Sequence, residues 1–516
     1  MVYEIKLFLA ALVVALCAAV VFRPAFRDML TSPQYRSVWG VMGVALVATF
    51  FGTVPMIYFL GVVATALFAS KTFGGDIKAK IAAFMLLSIT FPPVSSSLGG
   101  VGDINQLFVL DHTKAMALVL LGPAGFQLAM RKRGDSGNPF RAVDIFLVLY
   151  KLLSLVLLLK SITYTAIVRF LFENTIEIFL PYYVMTRGLK SADDIRFVMT
   201  RLMVGFVFIA SVGVAEEAAQ RSFYAPLQYI YGMTWQLTHV LLRGGLLRVQ
   251  ATAPQPIALA FFLVIALGTW TWLIGGAWKS VRSLAVYAVL LGALAFTWSR
   301  GPWLGAAIVI VNMLVMSRLS WRAYAGGLAV AVVLAVVAKS TGADALAYDF
   351  LKALFGSGEE DYGTIEYRRQ ILEASLALLK QSPWFGVPNY WVYLQDFRQG
   401  EGIIDLVNTY VLIAMDTGVV GVALYAAPQV IAVVRMVHRL ESPAGGRPND
   451  LFVMAFVSTL LAVAFILFTA STIGTMSYTI TFLVAAALVY AHARAPSRQA
   501  SKVAPMQPVA NFPRSA

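Results

Sequence analysis

Leu290-Leu291-Gly292-Ala293-Leu294-Ala295-Phe296-Thr297-Trp298-Ser299-Arg300-Gly301-Pro302-Trp303-Leu304-Gly305-Ala306-Ala307-Ile308-Val309-Ile310 contains the end of one apolar run and the start of the next. The runs extend over 281–298 and 302–317, each close to the length that crosses a bilayer. The turn between them has no room to carry Arg300 into bulk water. A charge at mid-bilayer costs about 2.5–3.5 kcal/mol on insertion scales, and less toward the edge. Something must offset that cost. An anionic ligand is one candidate. The other is a place at the interface, with Trp298 and Trp303 as belt aromatics.

The rest of the chain has the same character. Of 516 residues, 59% are hydrophobic and 13% charged, against roughly 25% charged in a soluble domain. Runs such as Val38–Phe51 and Gly327–Ala338 are almost continuously apolar, which excludes the alternation of an outer-membrane barrel. Further runs lie at 7–22, 38–52, 55–70, 79–94, 108–129, 142–160, 174–186, 197–214, 256–273, 322–338, 406–434, 450–470 and 474–492. Backbone polarity in lipid has to be satisfied within helices. The expected fold is therefore all-α, a polytopic transmembrane helix bundle of about 12–15 spans.

The net charge of +14 does not point to nucleic acid, because the basic residues cluster at the ends of apolar runs. Arg131/Lys132/Arg133, Arg187/Lys190/Arg196 and Arg435/Arg439/Arg447 are examples, and they read as cytoplasmic loops under the positive-inside rule. That threading leaves 95–106, 215–255, Ser299-Arg300-Gly301 and 339–405 outside. The last is the largest polar segment, with ten acidic and six basic residues, about −4 net. Residues 1–493 are expected to form the membrane domain with these loops, and 494–516 a disordered cytoplasmic tail. Cys17, the single cysteine, lies in the first apolar run, so no intrachain disulfide can form. The first run lacks a small-residue cleavage site and reads as a retained span.

Glu366 to Lys380 has the period of an amphipathic helix in the 339–405 loop. Arg368, Ile371, Leu372, Ser375 and Leu379 share one face, while Arg369 and Glu373 form an i,i+4 pair on another. Arg368 thus points with the apolar stripe, either as a residue snorkelling to headgroups or as a ligand contact. Arg243 and Arg248 add basic residues to the 215–255 loop. Three external segments then present arginine near the membrane face, and arginine suits bidentate contact with phosphate. No Walker motif, Asp-x-Asp, Gly-x-Ser-x-Gly or metal-ligand histidine spacing occurs, so neither a metal nor another cofactor is expected.

Three segments carry a family resemblance. They are Thr297 to Gly305 with its Ser-Arg-Gly turn; Tyr367-Arg368 followed by Ser382-Pro383-Trp384-Phe385-Gly386-Val387; and Asn408-Thr409-Tyr410 followed by Asp416-Thr417-Gly418-Val419-Val420-Gly421. In these the chain resembles the O-antigen ligase/O-antigen polymerase superfamily, polytopic bacterial enzymes that handle undecaprenyl-diphosphate-linked glycans. The chain departs from that pattern at Val407, where the family has histidine, and at Pro388, where it has glycine. The histidine belongs most to the ligase branch.

The resemblance implies a GT-C-like bundle and metal-independent glycosyl transfer, polymerising lipid-linked repeats into a surface or exopolysaccharide at the periplasmic face of the inner membrane. It implies Arg300 and Arg368 as a diphosphate clamp, with Asp405 as a candidate proton acceptor and Glu366 as another. Arg243, Arg248, Ser299, Asn408 and Tyr410 are the expected substrate contacts. The implied partners are the donor, a glycan acceptor, the bilayer and other polysaccharide-assembly proteins. A ligase using the same donor is the alternative. A flippase of lipid-linked glycans is the competing class, and it should show charge deep in several spans and pseudo-repeat halves.

Overall fold

The computed structural model describes residues 2–99, 106–131, 138–159, 164–227, 234–235, 241–243, 245–275, 280–316, 359–398, 404–441 and 450–493. Helices Val2–Val21 (α1), Ser32–Phe51 (α2), Pro55–Thr72 (α3) and Ile77–Thr90 (α4) come first. A hairpin follows, Val94–Gly99 (β1) against Gln106–Asp111 (β2). Then come His112–Met130 (α5), Arg141–Leu158 (α6), Tyr164–Asn174 (α7), Leu180–Gly188 (α8) and Ala192–Ala219 (α9). Thr234–Trp235 (β3) pairs with β1, and Leu242–Arg243 (β4) with Leu246–Leu247 (β5). Pro256–Leu273 (α10), Val281–Phe296 (α11), Arg300–Met316 (α12), Glu359–Leu379 (α13), Thr409–Glu441 (α14), Leu451–Thr469 (α15) and Met476–His492 (α16) complete the described chain.

This is an all-α, multi-pass membrane protein. Among the described residues seven helices have the length and hydropathy to cross a bilayer, and α11, α12 and α16 are apolar but shorter. The expected span 322–338 and the tail 494–516 lie outside the described residues. One boundary differs. Pro92 and Pro93 end α4, because the residue before a proline is driven to extended backbone and Phe91 adopts it (ψ 136°). Residues 94–99 and 106–111 then pair as strands, in place of the ends of the expected 95–106 loop and of the first residues of the expected span 108–129. Lys114 ties this hairpin to the π turn between α7 and α8, lying 3.0 Å from Glu177, 3.5 Å from Asp111 and 3.7 Å from Glu173.

Helix α10 lies at the centre and α1 at the margin: 89% of the α10 span is buried against 22% of the α1 span. In lipid there is little hydrophobic gain from pairing two apolar helices, so close packing has to supply the attraction. Small residues permit it. Gly301 and Gly305, one turn apart at the start of α12, face Thr469 and Ile466 of α15, and a Cβ at either position would overlap those side chains.

Helix α14 is broken at Gly418 (φ 69°, ψ −172°). The turn 382–387 fills the break. Val387 N donates to Met415 O at 2.7 Å, and Val419 N and Val420 N donate to Pro383 O and Trp384 O at 2.9 and 3.4 Å. Two of the motifs read in the sequence are therefore halves of one joint. Gly418 is required twice over. Its φ is left-handed, and a Cβ would run into the Trp384 carbonyl. Gly418→Ala should cost about 2 kcal/mol or more, from the left-handed penalty plus displacement of the turn. A lower Tm in detergent and faster proteolysis near residue 385 would register it.

Candidate functional site

The site rests on a carboxylate that the sequence reading did not single out. Glu216, near the C-terminal end of α9, is fully buried. Its Oε1 accepts from Ser222 Oγ (3.1 Å) and Phe223 N (2.8 Å), and its Oε2 from Gln250 N (3.2 Å) and Ala251 N (2.9 Å). Thr252 Oγ1 donates to Ile89 O at 2.6 Å, and Val249 N to Phe296 O at 3.1 Å. Residues 248–252 are thereby strapped to the ends of α4, α9 and α11.

That strap delivers Arg248 to the α11–α12 turn. Its Nε donates to Thr297 O at 3.2 Å and its Nη2 to Ser299 Oγ at 3.1 Å. Arg243, placed by the β4–β5 hairpin, donates from Nη1 to Trp298 O at 2.7 Å. Trp298 has φ 50°, an uncommon conformation for a residue with a side chain. The two arginines and the Trp303 Nε1 bond to Leu294 O (2.9 Å) hold this strained turn. Arg300 emerges from it as the first residue of α12, so its charge and the helix N-terminus both favour an anion there.

The facing wall is α13 with residues 404–411. The helix starts at Glu359, earlier than the Glu366 expected. Ile371 and Ser375 are buried on its inner face, as the periodicity requires. Tyr367 OH donates to Phe397 O (3.1 Å) and Asp405 O (3.2 Å). Asp405 Oδ1 accepts from Val407 N and Ser471 Oγ, both at 2.9 Å. Val407, at the position of the family's histidine, also has φ 50°.

The two walls meet where Gly301 packs on Thr469 and Ser471 bonds Asp405. Arg368 retains solvent access but sits among crowded surroundings. Burial draws its guanidinium below the usual arginine range. Asp405 opposes that shift, and the like charges of Arg243 and Arg300 add to it. Asp405, Arg243 and Arg300 therefore all act on Arg368. Three cations with one carboxylate suit a ligand of more than one negative charge.

The other expected site residues have different placements. Glu366 pairs with Arg369 at 2.7 Å and accepts from Gln370 at 2.8 Å on the exposed face. Arg369 lies 3.9 Å from Glu373, so the i−3 partner displaces the i+4 partner expected. Asn408 Oδ1 accepts from Tyr410 N (2.9 Å) and Val411 N (3.1 Å), capping α14. Tyr410 OH donates to Ala464 O of α15 at 3.2 Å. Ser299 is buried and holds Arg248.

Behind Thr409 and Thr472 a cavity of about 250 Å³ opens between α6, α14 and α16, lined by Lys151, Asp416, Tyr150 and Tyr425 among others. Lys151 was overlooked in the sequence. A lysine in the middle of the apolar run 142–160 was the available signal. Glu216 gave less, because an acid at the end of an apolar run resembles any helix-end charge. Replacing Glu216 with Ala would strand three buried N–H donors, at about 1–3 kcal/mol each. The expected result is a protein with a much lower Tm and trypsin cleavage opening at Arg248, checked in detergent by a thermal-shift assay and limited proteolysis.

Residues 285–426 match the family model described as O-Antigen ligase. No curated protein matches the chain. The matched stretch runs from α11 through the break in α14 and holds Ser299, Arg300, Arg368, Asp405 and Asn408. Over residues 285–426 the chain is thus similar to the O-antigen ligase family, and the match supports the resemblance to the O-antigen ligase/polymerase superfamily.

Proposed function

We propose that this protein polymerises undecaprenyl-diphosphate-linked oligosaccharide repeats at the periplasmic face of the inner membrane. The family supports ligase/polymerase-type glycan processing on a lipid-linked substrate within a membrane. The finer reading is supported by the turn 297–299, which Arg243 and Arg248 hold directly before Arg300, and by the effect of Asp405, Arg243 and Arg300 on Arg368. The basic clusters at the other helix ends support the periplasmic side for this site.

In the proposed reaction an acceptor hydroxyl oxygen attacks the anomeric carbon of the donor. The bond from that carbon to the diphosphate oxygen breaks, and its electron pair leaves with the diphosphate. Arg300 and Arg368 stabilise the charge that develops there, and Asp405 takes the hydroxyl proton. Losing one such preorganised donor typically costs 10²–10³ in rate, about 2.7–4 kcal/mol. Arg243 and Arg248 act mainly on the turn that aims Arg300. Of the two carboxylates expected as proton acceptor, Asp405 is the one that acts on Arg368, while Glu366 is engaged by Arg369.

Val407 in place of the family's histidine favours polymerase. The description of the family model favours the second reading, a ligase that moves the glycan to a different acceptor. Purified protein in vesicles with a defined lipid-diphosphate oligosaccharide separates them. Growth on the same carrier supports polymerase, transfer to an added acceptor supports ligase, and no transfer at all overturns both in favour of transport. Arg300→Lys and Arg368→Lys keep the charge but lose the fork, and each should reduce polymer formation about a hundredfold with normal membrane levels. Wild-type polymer from both variants would remove the clamp. Asp405→Asn should lower kcat far more than it changes KM, measured under single-turnover conditions. A kcat equal to that of the wild type would assign the proton elsewhere.

A further inference from the structure

The segment 380–393 belongs by sequence to the polar loop 339–405, yet its backbone is bound into a membrane helix. Gly418 lies nine residues beyond Thr409, the first residue of α14, about 13 Å along a helix axis. The helix that contains it, Thr409–Arg439, holds an 18-residue window with a mean hydropathy of 1.8. Turn 382–387 is therefore held at a depth where irregular backbone is tolerated only when its polar groups are satisfied within the protein. Here they are. Gly386 N donates to Ser382 O, Val387 N to Met415 O, and the N–H groups freed by the helix break donate to Pro383 and Trp384 carbonyls.

The side chains on the outside of this joint are aromatic. Trp384 is 65% exposed and Phe385 50%, with Trp391 and Tyr393 also exposed nearby. Tyr390, Leu394 and Met415 turn inward and form a small core with Ile371 beneath them. Val419, which is 49% exposed, donates its N–H to Pro383, the residue before Trp384, and Val420 donates to Trp384 itself. Val419, Val430 and Val434 fall on one side of α14 and are all exposed, an apolar stripe that only lipid can cover on a spanning helix.

We propose that residues 380–393 form a re-entrant aromatic wedge that inserts into the bilayer leaflet on the side of the arginine cluster. The partner is the lipid itself, at the level where headgroups give way to acyl chains, a depth that tryptophan and tyrosine favour. The wedge would keep the α13 wall at a constant height above the membrane, beside the space between the arginines and Asp405. This inference does not depend on the reaction proposed above, and its readouts involve no activity.

Cys17, exposed on α1 and the chain's one cysteine, makes the test direct. In a Cys17→Ser background, Trp384→Cys and Phe385→Cys are spin-labelled in vesicles of phosphatidylethanolamine and phosphatidylglycerol. Val430→Cys serves as the lipid-facing control and Glu373→Cys as the water-facing one. Collisions with dissolved oxygen should exceed those with a nickel chelate at 384 and 385, as at 430, with the order reversed at 373. Labels at 384 and 385 that behave like the one at 373 overturn the proposal. So does protection from nickel by added acceptor glycan without oxygen access, which would make the patch a glycan platform. A change with protein-to-lipid ratio would make it a contact between copies and overturn it as well. If the cysteine variants do not fold, lipids brominated on the acyl chain are added to the Cys17-containing chain and to Trp384→Phe. The fraction of tryptophan emission quenched should fall in the variant, and an unchanged fraction overturns the wedge.

Discussion

A buried carboxylate at the end of a membrane helix has to find several donors or it will not stay buried, and Glu216 finds four. Three are backbone N–H groups from two separate segments, so the geometry of both segments is set by one side chain. The consequences reach the site in two steps. The strap at 248–252 carries Arg248, and Arg248 with Arg243 binds the carbonyl and hydroxyl oxygens of the turn from Thr297 to Ser299. Arg300 follows this turn as the first residue of α12, so the bonds that hold 297–299 fix where its backbone begins.

The opposite wall depends on a different device. Helix α14 gives up part of its hydrogen-bond ladder at Gly418, and the turn at 382–387 takes up the freed groups. Neither segment is satisfied alone at that depth. The joint fixes the C-terminal end of α13 against α14, while Tyr367 and Ser471 bracket Asp405 from either side. Strain is concentrated around the space between the walls: Trp298 and Val407 both hold left-handed backbone, and both are pinned by hydrogen bonds from or to a site residue.

The legibility of these features in the sequence follows their range. Membrane helices are local facts, since about 20 apolar residues in a row have few alternatives in lipid, and the expected spans with described coordinates are helical over most of their length. The α4 boundary was signalled by Pro92-Pro93 and still missed, because the apolar run continues past it. The inner face of α13 was readable from its period. Roles were harder to read than positions. Asn408 and Tyr410 lie in the expected segment, but the first caps a helix and the second ties α14 to α15. Glu216 was invisible, because a single charge near the end of an apolar run has the same local sequence whether it faces a headgroup or a buried network, whereas Lys151 lies inside its run and carried a signal.

What the sequence by itself determined is the membrane architecture, the two arginines Arg300 and Arg368, and the short motifs that the family match spans. Those are properties of composition, period and order along one stretch of chain. Only the tertiary structure decided which charges meet. Residues 243, 300 and 405 are far from 368 along the chain yet act on it, and the elements that carry them are joined where Gly301 packs on Thr469, Ser471 reaches Asp405, and the 382–387 turn fits the break in α14. Each of those contacts depends on close approach between helices, which no local pattern encodes.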